Sequence, residues 1–229
     1  MTNAFTRICG LAVLLAWAVP ALAASTNNVY IDQVGSGSNI AVTQQGIGNE
    51  VGNGTTATVL HGNGQTIGIT QVGSQNTTSV NVQGINATVN STATGDSNAI
   101  TVNCGTGGTT ACTDSALTAN ATGNANTLNL TAGAKTTGSI TATGDNNTIA
   151  VTSATNNMMG AQASVSAVGS GNNVTVSQSG PAGTNGFTTD VQLTGSSNTV
   201  GVTQSGTVDS NVSVHSTGSN NSITVTSSN

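Results

Sequence analysis

The chain has 229 residues, of which only 4% are charged and 2% aromatic, while glycine contributes 30. So little charge excludes a solvated disordered tail, two Lys plus Arg exclude a basic nucleic-acid footprint, and the scarcity of rings excludes a core of bulky side chains. What remains is the composition of a repeat or fibre-forming protein.

Residues 1–23 read as a removable export signal. Arg7 lies in a short leading region, an apolar run covers residues 8–19, and Pro20 precedes the small-x-small site Ala21-Leu22-Ala23. The run is shorter than the roughly 20 residues of a membrane-spanning helix. Its removal takes away Trp17, Cys9 and Arg7. The mature chain then keeps Lys135 as its sole Lys or Arg against seven acids, a formal charge of about −6. The expected destination is outside the cell or on its surface.

From residue 24 to 229 the chain reads as imperfect copies of one unit, anchored at Gly35, Gly62, Gly95, Gly123, Gly144, Gly169, Gly195 and Gly218. Five residues after each glycine stand Ile40, Ile67, Ile100, Leu128, Ile149, Val174, Val200 and Ile223. Seven residues after it stand Val42, Ile69, Val102, Leu130, Val151, Val176, Val202 and Val225. Aliphatic residues at period two put alternate side chains on one face of a strand. Three residues after the glycine stand Ser38, Gln65, Asn98, Asn126, Asn147, Asn172, Asn198 and Asn221. Gly and Asn both tolerate left-handed backbone, so Gly-x-x-Asn reads as a tight turn. Smaller residues, such as Ile140 with Ala142 and Val165 with Ala167, form a preceding strand. The unit is therefore strand, turn, strand and variable return loop, with coils near 29–46, 56–73, 87–104, 117–132, 138–153, 163–180, 189–206 and 211–227.

A two-stranded unit cannot bury its apolar face alone and must stack on its neighbours. The expected fold is all-β: a β-solenoid of about eight stacked strand–turn–strand coils, with amyloid-like cross-β order. In it the sixteen aliphatics form a spine and the Asn side chains a ladder. An ordinary β-sandwich is the alternative, but it does not require the same turn on every second strand.

The most specific stretches are Ile31-Asp32-Gln33-Val34-Gly35 leading to Asn39, Val42-Thr43-Gln44-Gln45-Gly46 leading to Asn49, and Ile69-Thr70-Gln71-Val72-Gly73 leading to Asn76. Gln-x-Gly returns at Gln178 and Gln204, and Gly62, Gly73, Gly84 and Gly95 fall eleven residues apart. This pattern resembles the curlin repeat, in its divergent or minor form. The resemblance implies a subunit of curli, extracellular amyloid fibres used in adhesion and biofilm. It implies self-polymerisation, a related curlin subunit or nucleator as partner, and passage through an outer-membrane secretion pore. Gln33, Asn39, Gln44, Gln71, Asn76, Gln178 and Gln204 match the family's ladder positions and would carry the stacking. Only residues 24–28 stand between the leader and the first strand, where curlins have a sizeable recognition segment. Later units also replace the second glutamine, with Cys104, Ala132 and Ser153 in its place.

Cys104 and Cys112 are the mature chain's only cysteines, and in an exported protein they form a candidate disulfide across a glycine-rich loop. Free buried thiols are the alternative. No cofactor or metal is expected. His61 and His215 each precede a turn, and neither adjoins a carboxylate in sequence, so enzymatic chemistry is not expected. The acids Asp32, Glu50, Asp96, Asp114, Asp145, Asp190 and Asp209 are spread along the coils, which suits gatekeepers against premature aggregation. Two rival functions stay open: a capped, non-polymerising adhesin, and ice binding by the outward row Thr43, Thr70, Asn103, Thr131, Thr152, Ser177, Thr203 and Thr226.

Overall fold

A computed structural model describes residues 13–15, 26–53, 55–105, 112, 115–132, 137–154, 162–180 and 187–228. The leader expected over residues 1–23 lies outside these apart from 13–15, as do Asp114 and Lys135. In chain order the strands are β1 (Val13–Leu15), β2 (Asn28–Val29), β3 (Ile31–Val34), β4 (Asn39–Gln45), β5 (Glu50–Val51), β6 (Thr58–His61), β7 (Thr66–Val72), β8 (Thr77–Gln83), β9 (Thr88–Thr94) and β10 (Ala99–Cys104). They continue as β11 (Ala116–Ala119), β12 (Thr127–Ala132), β13 (Thr137–Ser139), β14 (Thr148–Ala154), β15 (Gln162–Ser164), β16 (Asn173–Ser179), β17 (Phe187–Asp190), β18 (Thr199–Ser205), β19 (Ser210–Ser213) and β20 (Ser222–Ser228).

Among the described residues every pairing is parallel, and the chain passes back and forth between two facing sheets, with β2 and β3, and again β5 and β6, lying together on the second. The first sheet runs β1-β4-β7-β9-β11-β13-β15-β17-β19, and the second β2-β5-β8-β10-β12-β14-β16-β18-β20, with β3 and β6 extending its first two levels. The fold is a β-solenoid. Parallel strands separated by one coil are what a winding chain produces, because each crossing returns in the same direction.

The core lies between the sheets and is one strand-face thick on each side. On the second sheet Ile100, Val102, Leu128, Leu130, Ile149, Val151, Val174, Val176, Val200 and Val202 point inward and are buried. Opposite them the first sheet carries smaller groups in its later levels, among them Ala119, Gly138 and Ala163. The fit is close: a Cβ placed on Gly138 would lie 2.8 Å from Leu130 Cδ2. A methyl group added there would have to displace a packed leucine.

The winding differs from the expected unit in one respect. The first two units, around Gly35 and Gly62, cross from the second sheet to the first. The units from Gly95 onward cross in the opposite sense. The single expected spine is thus two spines, one on each sheet. On the first sheet Ile40 pairs with Ile67 and Val42 with Ile69. On the second, Ile100 heads a row through Leu128, Ile149, Val174 and Val200 to Ile223. Beside it Val102 heads a row through Leu130, Val151, Val176 and Val202 to Val225. Val102, Val176 and Val202 therefore do not stack in one column with Val42 and Ile69, because the chain has changed phase between the two groups.

That change passes through β8, a strand the repeat alignment omits. Its inward residues are Thr78, Val80 and Val82, all buried, and Val80 pairs directly with Val102. The terminal levels are less enclosed, leaving Val42, Ile223 and Val225 partly buried against the core.

Insertions leave the sheets intact. In the second level the segment between β5 and β6 loops out. There Asn53 Oδ1 accepts the Thr55 backbone N–H at 2.9 Å, and Thr58 N–H then rejoins the stack on Tyr30 O at 2.9 Å.

Candidate functional site

The corner where the chain passes from the first sheet to the second repeats with the least variation, at Asn49, Asn76, Asn98, Asn126, Asn147, Asn172, Asn198 and Asn221. In each of the seven steps from Asn49 to Asn221, the backbone N–H donates to the preceding asparagine's Oδ1 at 3.0 or 3.1 Å. The side-chain Nδ2 of the same residue donates to that Oδ1 as well, at 3.0 Å. Asn49 N–H begins the series on Asn27 Oδ1 at 2.9 Å. All but Asn221 of the eight are buried, so the acceptors from Asn49 to Asn172 serve donors that water does not reach.

The ladder works because an amide carries an acceptor and a donor on one short arm. Serine or aspartate at the same place could accept, but neither would pass a charge-free amide donor to the next level. The remaining Nδ2 hydrogen goes to a corner carbonyl in the early levels, as in Asn76 to Gly95 O and Asn98 to Gly123 O, both 2.8 Å. Glycine brings those carbonyls close. A Cβ on Gly73, whose φ is +112°, would lie 2.1 Å from Gly95 O.

A second ladder runs along the outside of the corner in the opposite sense. Ser74 N–H donates to Asp96 Oδ1 at 2.7 Å, Asp96 N–H to Asn124 Oδ1 at 2.8 Å, and Asn124 N–H to Asp145 Oδ1 at 2.6 Å. Serine hydroxyls then replace the carboxylates: Asp145 N–H reaches Ser170 Oγ, Ser170 N–H reaches Ser196 Oγ, and Ser196 N–H reaches Ser219 Oγ, at 3.0 to 3.1 Å. Asp96 and Asp145 are therefore acceptors in the stack. The inner ladder donates towards the N-terminal end and the outer one towards the C-terminal end, so each level binds both neighbours. Sequence reading missed this outer ladder; its signal was the Asp, Asn or Ser directly following the corner glycine.

The predicted ladder residues divide between several places. Asn76, Asn98, Asn126, Asn147, Asn172, Asn198 and Asn221 stand together in the corner, joined by Asn49. Asn39 stands apart, exposed on β4 opposite Thr66. Gln44 and Gln71 meet inside the first sheet, with Gln44 Nε2 donating to Gln71 Oε1 at 2.7 Å; Gln71 Nε2 then reaches Thr78 Oγ1 at 3.1 Å. Gln178 and Gln204 make an equivalent pair on the second sheet, at 3.1 Å, and Thr189 Oγ1 also donates to Gln204 Oε1. Gln33 is buried in β3 and donates to Gly35 O at 3.2 Å. Ser38 and Gln65 lie at the opposite corner, where Gln65 Nε2 donates to Gly84 O at 3.1 Å.

That opposite corner also holds the disulfide. Cys104 and Cys112 are joined, with Cα atoms 5.3 Å apart and both residues buried. Cys112 occupies the next level of the corner stack Gly35-Gly62-Gly84, and its N–H donates to Gln83 O at 2.6 Å.

Ionisable groups are dispersed. Among the described residues no three His, Cys, Asp or Glu side chains converge on a metal-sized site. A groove of about 660 Å³ on the outer face of the first sheet is lined mainly by Thr, Ser and Gln side chains from β13, β15 and β17. Asp190 is the one carboxylate in that lining, and Gln192 Nε2 donates to it at 3.1 Å.

No protein-family model, curated protein or solved structure matches the chain.

Proposed function

We propose that this chain is an exported structural subunit, similar to a curlin, that polymerises end to end into extracellular amyloid-like fibres for adhesion and biofilm. The observation that carries the reading is the repetition of one bonding surface from level to level. Asn221 presents upward the same Oδ1 that every asparagine from Asn49 to Asn198 presents. Among the described residues nothing donates to it. β20 pairs on one side only, with β18, and its inward residues Ile223 and Val225 remain partly open. A parallel strand end with unpaired backbone groups and a partly exposed apolar face is a template for another strand of the same kind.

At the other end β1 pairs with β4 through Val13↔Ile40 and Leu15↔Val42. Those residues belong to the stretch that reads as the leader, so cleavage near Ala24 would uncover the β4 edge. The mature subunit would then offer two complementary ends, a heterologous arrangement that extends without closing. The partners are further copies, a related subunit or nucleator, and a secretion pore; neither an enzymatic step nor a cofactor enters the mechanism.

The reading is tested by incubating the mature chain, beginning at Ala24, and following thioflavin fluorescence with electron microscopy. Unbranched fibres growing with time are expected. A species that stays monomeric at high concentration would replace the fibre reading with that of a solitary solenoid adhesin.

A further inference from the structure

From β8 onward the outer face of the second sheet consists of β8, β10, β12, β14, β16, β18 and β20 in one unbroken parallel order. Every outward side chain described on these strands is Thr, Ser, Asn, Gln, Ala or Gly. None is charged or aromatic. The described acids stand elsewhere: Asp96, Asp145 and Asp209 at corners, Asp190 on the first sheet, and Asp32 and Glu50 on the first levels. The central row reads Thr131, Thr152, Ser177, Thr203 and Thr226 through paired positions. The neighbouring row contains Ala150 and Gly201, and a Cβ added at Gly201 would meet nothing within 4 Å. The face is therefore small-grained, and notched at Ala150 and Gly201.

We infer that this face is a pairing surface for the same face of a second copy, resting on the fibre reading above. Three features select that occupant. A second solenoid has the same strand spacing, so an offset that fits Thr against Gly or Ala at one level recurs at the following levels. A net-negative chain approaches its own kind most closely where it carries no charge. The extent also suffices: seven strands at about 4.8 Å and six residues at about 3.3 Å give roughly 600 Å² per copy, near the lower bound of a specific interface when both copies are counted.

The face has no Trp, Tyr or Arg, the side chains that usually anchor an interface, so a single pair of subunits binds weakly. Along a filament the same contact recurs at every subunit, and many weak contacts act together. Mature fibres are then two filaments joined by their second sheets, about 10 Å apart, with small side chains interleaved as in a steric zipper. The uneven row of Ala150, Gly201 and Asn129 suits interleaving and breaks the regular hydroxyl array that an ice surface would require.

Mass per unit length of fibres, measured by scanning transmission electron microscopy, tests the pairing. The double variant Thr152→Lys/Thr203→Lys should form fibres of half the wild-type mass per length. Thr70→Lys/Thr92→Lys, on the outer face of the first sheet, should leave the mass per length unchanged. Equal values for wild type and the second-sheet variant, or halving by both variants, would overturn the inference. If no fibres form at all, the polymer reading fails and pairing is decided on soluble protein. Ala150→Cys, at the centre of the face, should then oxidise to covalent dimers at least several-fold faster than Thr118→Cys on the first sheet; equal rates would overturn it.

Discussion

Asn126 donates both its backbone N–H and its side-chain Nδ2 to Oδ1 of Asn98, each at 3.0 Å, although 28 residues separate the two in sequence. Asn126 Oδ1 is in turn the acceptor for both donors of Asn147. Removing that amide leaves two buried donors without a partner, at about 1–3 kcal/mol for each orphaned group. Asn126→Ala should therefore lower unfolding free energy by about 2–6 kcal/mol in denaturant titrations. Asn39→Ala, exposed on β4, should change it by less than about 0.5 kcal/mol.

Glycine substitutions should separate corner from face. Gly84 has φ +143°, and a Cβ there would lie 2.2 Å from Cys112 O. Gly84→Ala combines backbone strain with a collision against main chain, and should cost about 3 kcal/mol or more. Gly201 lies mid-strand with open space around it. Gly201→Ala should leave the melting temperature within a degree or two of wild type, as for surface changes within about 0.5 kcal/mol.

The disulfide spans a sequence separation of 8, and closing so short a loop restricts the unfolded chain by about 2–3 kcal/mol. Non-reduced peptide mapping should recover the Cys104–Cys112 linkage. Cys104→Ser/Cys112→Ser should lower stability by about that amount, with the largest gain in hydrogen exchange near Gln83, whose carbonyl accepts the Cys112 N–H.

Inside and outside of a strand should respond oppositely to charge. Ile100 is 1% exposed within the spine, while Thr203 faces solvent on β18. Ile100→Asp buries an unpaired carboxylate and should abolish cooperative folding, seen as loss of the β-sheet circular dichroism signal. Thr203→Asp should keep that signal.

The sequence exposed the solenoid well and its phase poorly, for a physical reason. Alternating aliphatics such as Leu128 and Leu130, and the Gly-x-x-Asn turn, mark strands and corners locally, and stacking follows from the need to bury them. Each coil, however, is built from two similar halves, as the elevenfold spacing of Gly62, Gly73, Gly84 and Gly95 records. Either half fits the same template, so Ser38 and Gln65 align with asparagines that stand at the other corner. For the same reason Val42 and Ile69 align with Val102, Val176 and Val202, which lie on the facing sheet. β8 escaped because Thr78 takes an inward place usually held by an aliphatic. Asn49 was separated from its ladder by the same slip. Only pairing across 20 or more residues, such as Asn49 to Asn76, distinguishes the two corners. Cys104 was legible as inward-facing, but not that Cys112 would complete the glycine corner.

X-ray diffraction from aligned fibres of the mature chain tests end-to-end stacking most directly. If subunits continue one another's sheets through the Asn221 level, a sharp meridional reflection near 4.7–4.8 Å and a diffuse equatorial one near 10 Å are expected. Unchanged β-sheet circular dichroism with no oriented 4.7 Å reflection, from protein that stays soluble and monomeric, would contradict the account.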